Sequence, residues 1–326
     1  MLLHKFSLQI IPKGKISPNY WKFENGSPAS FHGKTPPNII FAEQGKHTVT
    51  LTVSNGYQSE TYTDFVTVKP PMVVDFSWEV NSEDYDYQVP VTITLKNQTQ
   101  NAIAYQWQMQ GAIPFSSTQE NPVVTFPNTG VYTIVLEASN GKTTQTIEKQ
   151  ITIHPNTGIY TLENVKLGTN YAHNTQHIGA FYSTKLRKSF TSAEITPENA
   201  PLIDIVFQGV DATFATNRFI SPTQVQNYGF KAIPNAQATF FVNSQEICSC
   251  NLNFSERDFN QTKNDLSLIK LVIPHTTKAQ QSFDNQLPRI VLFQRQDGKI
   301  GAIKIKKFVS DGANNSYILC DIKVQK

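Results

Sequence analysis

The feature that most constrains this chain is an internal repeat. The stretch GKHTVTLTVSNG at residues 45–56 is answered by GVYTIVLEASNG at residues 130–141, an offset of 85 with six identical positions. Between the fixed glycine and the Ser-Asn-Gly end, apolar and polar residues alternate with the period of two that marks a half-buried strand. Phe41 and Phe126 each stand four residues before the glycine, and Trp21 and Trp107 precede them at an offset of 86. A tryptophan, a short apolar strand and a long alternating strand, repeated, specify a duplicated β-sandwich module. The Asn-Gly pair closing each long strand signals a hairpin with a type I′ turn, in which both central residues adopt positive φ.

The order YWKFENG at residues 20–26, an apolar run over 37–41, then the glycine-led strand, resembles the PKD domain family. That resemblance implies a seven-stranded immunoglobulin-like sandwich. Trp21, Phe23 and Gly26 match the family pattern, while Lys22, Glu24 and Asn25 depart from it. In the second copy, WQMQG at 107–111 keeps little beyond the tryptophan. The expected domains are a PKD-like module at 1–69, a second at 70–154 and a C-terminal β-sandwich domain at 158–326, all β. Pro70-Pro71 and HPNTG at 154–158 are the punctuation between them. The second module has strands at 73–78 and 91–96 before its tryptophan, whereas only 20 residues precede Trp21. The first module is therefore expected to lack its opening strand, and Met1 to be a truncated or internal start within a longer precursor that carries a secretion signal and has room for a lipid anchor.

With 326 residues the chain has room for three such cores. Only 16% of residues are charged, and the polar remainder is rich in amides and hydroxyls, which suits short strands and turns. Residues 1–70 carry a net +3, 71–153 a net −5 and 154–326 a net +5. No segment clusters Lys and Arg as phosphate binding requires, and Lys304, Lys306 and Lys307 read as a solvated strand face, so nucleic acid is excluded as a partner. No apolar run is long enough to span a membrane as a helix.

Beyond residue 158 the strand-like runs are 203–207, 238–242, 268–273, 289–294, 300–309 and 316–324, the last three forming a meander. Ser255 to Asp258 has the pattern of a capping box, opening a short helix. The stretches LG at 167–168, GAFYST at 179–184, GAIK at 301–304 and DIKVQK at 321–326 are similar to the C-terminal domains of surface lipoproteins in Bacteroidota. This implies an extracellular or outer-membrane-surface location beside glycan-capture systems.

Candidate chemistry is sparse. The nucleophile-elbow, zinc-protease and phosphate-loop motifs are all missing, so no catalysis and no cofactor are expected. Cys248 and Cys250 point the same way if they lie on a strand, which is awkward for bridging, and with Cys320 they read as small buried apolar groups. Glu83, Asp84 and Asp86 form an acidic loop that is either solvated or a calcium site. Asp204, inside the apolar run LIDIVF, reads as a loop-tying or water-facing acceptor, or as a ligand or metal contact. The best binding cluster is Asn170, Tyr171, His173, His177 and Tyr182, because tyrosine faces stack on sugar rings while amides and imidazoles bond hydroxyls. No metal site is expected, since His173 and His177 share a helix face without a third ligand.

These readings lead to a surface binding protein whose partner is a polysaccharide or glycan, with the first two modules as spacers. The alternatives are an adhesion or structural protein that contacts a surface protein, and an accessory part of a secreted glycoside hydrolase.

Overall fold

The computed structural model describes residues 4–6 and 20–326. It is built almost wholly from antiparallel sheets. In the first module a four-stranded sheet runs in the order Ser30–His32, Tyr20–Phe23, Gly45–Ser54, Ser59–Val68, and a three-stranded one in the order His4–Phe6, Ile39–Phe41, Gly26–Ser27. The second module repeats the four-stranded sheet and pairs it with a three-stranded sheet of different order. Its four-stranded sheet is Ser116–Ser117, Ala104–Gln108, Gly130–Ser139, Thr144–Ile153, and its three-stranded sheet is Val123–Phe126, Val91–Asn97, Phe76–Val80.

The registers of the two copies coincide. Trp21 lies opposite Leu51 as Trp107 lies opposite Leu136, and His4 lies opposite Phe41 as Val91 lies opposite Phe126. Phe76–Val80 has no counterpart among the described residues of the first module. Period-two alternation accounts for this shared register, because a slip by one residue would turn every core side chain to solvent. Trp21, Phe23, Ile39, Phe41, Val49 and Val68 fill the first core. The second is larger, with Trp107 fully buried and Phe76 edge-on to it at 5.2 Å.

The Ser-Asn-Gly hairpins form, but not with the expected turn. Ser54 pairs with Ser59, which leaves residues 55–58 as a four-residue loop. Asn55 Oδ1 accepts from the backbone N–H groups of Tyr57 and Gln58, and only Gly56 takes positive φ, at 92°. Asn140 and Gly141 do the same in the second copy. The asparagine acts through its side chain as the acceptor of a local turn, which frees its backbone from the left-handed region.

The C-terminal residues form two further sheets. One orders Ile159–Gly168, Tyr317–Gln325, Ile300–Val309, Arg289–Arg295, Thr239–Val242; the other orders Lys188–Phe190, Phe181–Ser183, Ile205–Gly209, Asn217–Ile220. Between them runs a chain of phenylalanine rings, Phe207 to Phe219 to Phe241 to Phe293, with centroids 5.5, 5.8 and 5.8 Å apart. The five-stranded sheet is buried on both faces. Val291, Phe293 and Ile303 face the sandwich, while Ile290, Leu292 and Ala302 pack under a cover drawn from residues 248–279.

That cover explains two departures from the sequence reading. Residues 268–273 are not a strand; Leu268 and Ile273 are apolar because they seal the outer face of this sheet. Cys248 and Cys250 are joined as a disulfide, with Cα atoms 5.2 Å apart. They lie in a turn and not a strand, and Ser249 between them takes φ 53°, which swings the two side chains together. Within the cover, the capping box at Ser255 and Asp258 opens the helix Glu256–Gln261. Its C-terminal end is fastened by the buried Lys323, whose ammonium donates to the carbonyls of Phe259 (2.8 Å) and Thr262 (2.6 Å). Burial lowers the pKa of that lysine, and its position at the negative end of the helix offsets part of the cost.

Candidate functional site

The site is built around the carboxylate in the apolar run 202–207. A 3-10 turn, Ala200–Leu202, delivers the chain into the strand Ile205–Gly209, and Asp204 sits at the junction with its backbone N–H on the Tyr182 carbonyl (3.1 Å). Its side chain points inward and is 11% exposed. Asp204 Oδ1 accepts from the Thr184 N–H at 3.0 Å, and Oδ2 accepts from the Thr184 hydroxyl. Thr184 Oγ1 accepts in turn from Arg295 Nη1 at 3.3 Å, and that nitrogen lies 3.6 Å from Asp204 Oδ2. The second guanidinium nitrogen of Arg295 is paired with Asp297.

Asp204 and Thr184 thus belong to the four-stranded sheet, and Arg295 and Asp297 to the end of a central strand of the five-stranded one. They meet where the ends of the two sheets come together, around a cleft of about 360 Å³ also walled by Lys185, Gln237 and Gln296. Burial raises the Asp204 pKa to about 6, outweighing the Thr184 bonds and the Arg295 charge that act in the opposite direction. The cleft therefore offers two carboxylates on one arginine, a lysine and two amides, a dense set of donors and acceptors in a confined space.

The predicted cluster is only partly brought together. Thr169 caps the short helix Asn170–Asn174, its Oγ1 accepting from the Ala172 N–H. His173 is fully buried between Phe181 and Phe230, with centroids 4.2 and 5.0 Å away. Its Nδ1 accepts from the Ala180 N–H (3.0 Å), which places the proton on Nε2, donated to Ser192 Oγ (2.7 Å). Burial lowers its pKa to about 4. Tyr182 is buried in the sandwich core, where burial raises the pKa of its phenol. His173 and Tyr182 are thus packing residues, a correction to their reading as ligand contacts: the strand and helix that carry them turn these faces inward. Asn170 is half-buried, donating to the Tyr228 carbonyl at 2.8 Å. Tyr171 and His177 keep exposed surface, and His177 Nδ1 lies 2.9 Å from the Thr175 carbonyl.

The acidic loop is only partly exposed: Glu83 and Tyr85 keep surface, while Ser82, Asp84 and Asp86 are half-buried. Asp86 and Glu83 are engaged by Arg187 and Lys185, and among the described residues no three His, Cys, Asp or Glu side chains are grouped to hold a metal. No helix among the described residues is long and apolar enough to cross a membrane.

In the first module, Trp21 and Phe23 face inward from a strand paired with the glycine-led strand Gly45–Ser54. Residues 4–68 match the PKD domain family. PKD domains are typically non-catalytic modules of extracellular proteins. The second copy reproduces the four-stranded sheet of this PKD module in strand order and register, although the match ends at residue 68. No curated protein matches the chain. Among solved structures, an amphioxus IgVJ-C2 molecule is similar at 11% identity, with 46% of this chain and 96% of that chain covered and a TM-score of 0.25, an overlap too loose to bear on function.

Proposed function

We propose that this is a non-catalytic binding protein of the cell surface or extracellular space, and that its C-terminal domain holds a polysaccharide or glycan in the Asp204–Arg295 cleft. The observation that carries this reading is the cleft lining: Gln237, Gln296, Lys185, Arg295 and two carboxylates share about 360 Å³ with an apolar floor of Pro201, Leu202 and Ala238, and no aromatic ring lines it. Such a lining bonds hydroxyl groups from several directions, which is the chemistry a sugar presents. Of the sequence-predicted cluster, Tyr171 and His177 keep exposed side chains. A place among Bacteroidota surface lipoproteins, with the PKD-like modules holding the domain away from an anchor, is consistent with the sequence resemblance.

The test is affinity electrophoresis of the full chain through a panel of plant, host and microbial polysaccharides. Retardation by one glycan should fall at least about tenfold in strength in a Gln237→Ala, Asp297→Ala double variant, because two bonding side chains are removed. Both residues are exposed, so the fold should be unaffected. Tyr171→Ala should bind as wild type if the cleft is the site. Absence of retardation by every glycan would overturn the reading in favour of protein contact.

A second reading has its own observation. Asp204, with a pKa near 6, and Asp297 are two carboxylates beside one arginine in a cleft, and glycoside hydrolysis draws its acid and its nucleophile or base from such a pair of residue types. Release of reducing ends from a bound polysaccharide, abolished by Asp297→Asn, would replace the binding role with a hydrolytic one.

A further inference from the structure

We propose that the second immunoglobulin-like module is a working part of the C-terminal cleft, its acidic loop at residues 82–86 gripping the hairpin that forms the cleft wall. The inference rests on the cleft being the binding site, and it assigns to the module a positioning role in place of a spacer's.

The hairpin joins Phe181–Ser183 to Lys188–Phe190, and its loop faces two ways. Thr184 bonds Asp204 inside the cleft, and Lys185 lines the cleft. Across the domain boundary, Lys185 Nζ lies 3.0 Å from Glu83 Oε1, Arg187 Nη1 lies 2.6 Å from Asp86 Oδ1, and Arg187 Nε donates to the Ser82 carbonyl at 2.6 Å. The Arg187 and Asp86 side chains are 15% and 17% exposed, so water and salt screen this pair far less than a surface one. Tyr160 of the C-terminal domain and Tyr85 of the module both flank the guanidinium, at 5.2 and 6.0 Å.

Arg187 adopts φ 52°, the left-handed residue that closes the four-residue loop between Ser183 and Lys188. The net charges of −5 on residues 71–153 and +5 on 154–326 have the signs such a contact needs. Without the grip, the loop loses its anchors on Asp86, Glu83 and the Ser82 carbonyl, freeing Thr184 to leave Asp204 and Lys185 to leave the wall.

The experiment uses the full chain with Asp86→Arg, Arg187→Asp and the two combined. The readouts are small-angle X-ray scattering and the Asp204 titration midpoint by carboxyl carbon NMR. Each single variant should lengthen the maximum dimension of the particle and lower the Asp204 midpoint by about one unit as water reaches the carboxylate. The charge-swapped double variant should restore both. Midpoints unchanged in the single variants would overturn the proposal, whether or not the domains separate. If a single variant fails to fold, as judged by near-ultraviolet circular dichroism, the double variant decides: wild-type values support the grip, and failure to recover them refutes it. No ligand enters these measurements, so their outcome is separate from that of the polysaccharide panel.

Discussion

Between pH 4 and 6.5 the unfolding free energy of the C-terminal domain is expected to stay nearly level in the wild type and to climb by roughly 3 kcal/mol in Asp204→Asn. Two buried groups oppose each other in this window. His173 has its folded pKa lowered from 6.5 to about 4, so as pH falls through the window the unfolded chain takes up a proton that the folded one refuses. The stability it contributes is complete above 6.5 and lost toward 4. Asp204 has its folded pKa raised from 3.8 to about 6, so the folded chain holds a proton that the unfolded chain has released. Its contribution is complete below about 4 and lost as pH rises through 6. Each slope sums to roughly 3 kcal/mol, at 1.36 kcal/mol per unit, and the signs are opposite. Of the carboxylates whose pKa is lowered, Asp211 and Asp258 act below the window, while Glu194 and Glu246 act from the ordinary glutamate value of 4.5 downward and add the same small upward slope to both proteins. Asparagine keeps an oxygen for the Thr184 N–H, so Asp204→Asn removes the titration with little change of shape. Urea unfolding followed by circular dichroism at pH 4, 5, 6 and 7 is the measurement. A profile in Asp204→Asn as level as the wild type would show that the carboxyl does not titrate as its burial requires.

Trp107→Ala is expected to cost the second module about 3–5 kcal/mol, the range for emptying a fully buried aromatic site. Trp107 is 0% exposed, edge-on to Phe76, with its indole N–H on the Gln119 carbonyl at 2.9 Å. Truncation opens a cavity between the two sheets and orphans that carbonyl. Trp21→Ala should cost the first module less, since Trp21 is 5% exposed in a smaller core and its bond to the Gly33 carbonyl is longer, at 3.2 Å. Denaturant unfolding monitored by fluorescence of the remaining tryptophans reads both. A loss below about 1 kcal/mol in Trp107→Ala would mean that the sheets close over the gap.

The duplicated modules were legible because everything that specifies them is local. An alternating strand, a tryptophan opposite its leucine and an asparagine at the strand end are all written within 40 residues of one another. Where local geometry was misjudged, a single backbone conformation was responsible: Asn55 serves its turn through the side chain, and Ser249 bends Cys248 onto Cys250. The run at 268–273 was misread because periodicity alone cannot tell a strand from an irregular cover with the same apolar need.

The candidate site was visible only as one odd residue. Asp204 stands out as a carboxylate in an apolar run, but its partners Thr184 and Arg295 are separated from each other by 111 residues. The acidic loop was likewise conspicuous, yet its partner Arg187 lies 101 residues beyond Asp86 and carries no pattern of its own. The sequence by itself determined the all-β character, the repeat and the register of its strands, because alternation sets which side of a strand is buried. Only the tertiary structure decided which strand ends meet, and hence where the cleft and its grip lie, because those contacts join loops whose own sequences carry no trace of the partner that folding brings to them.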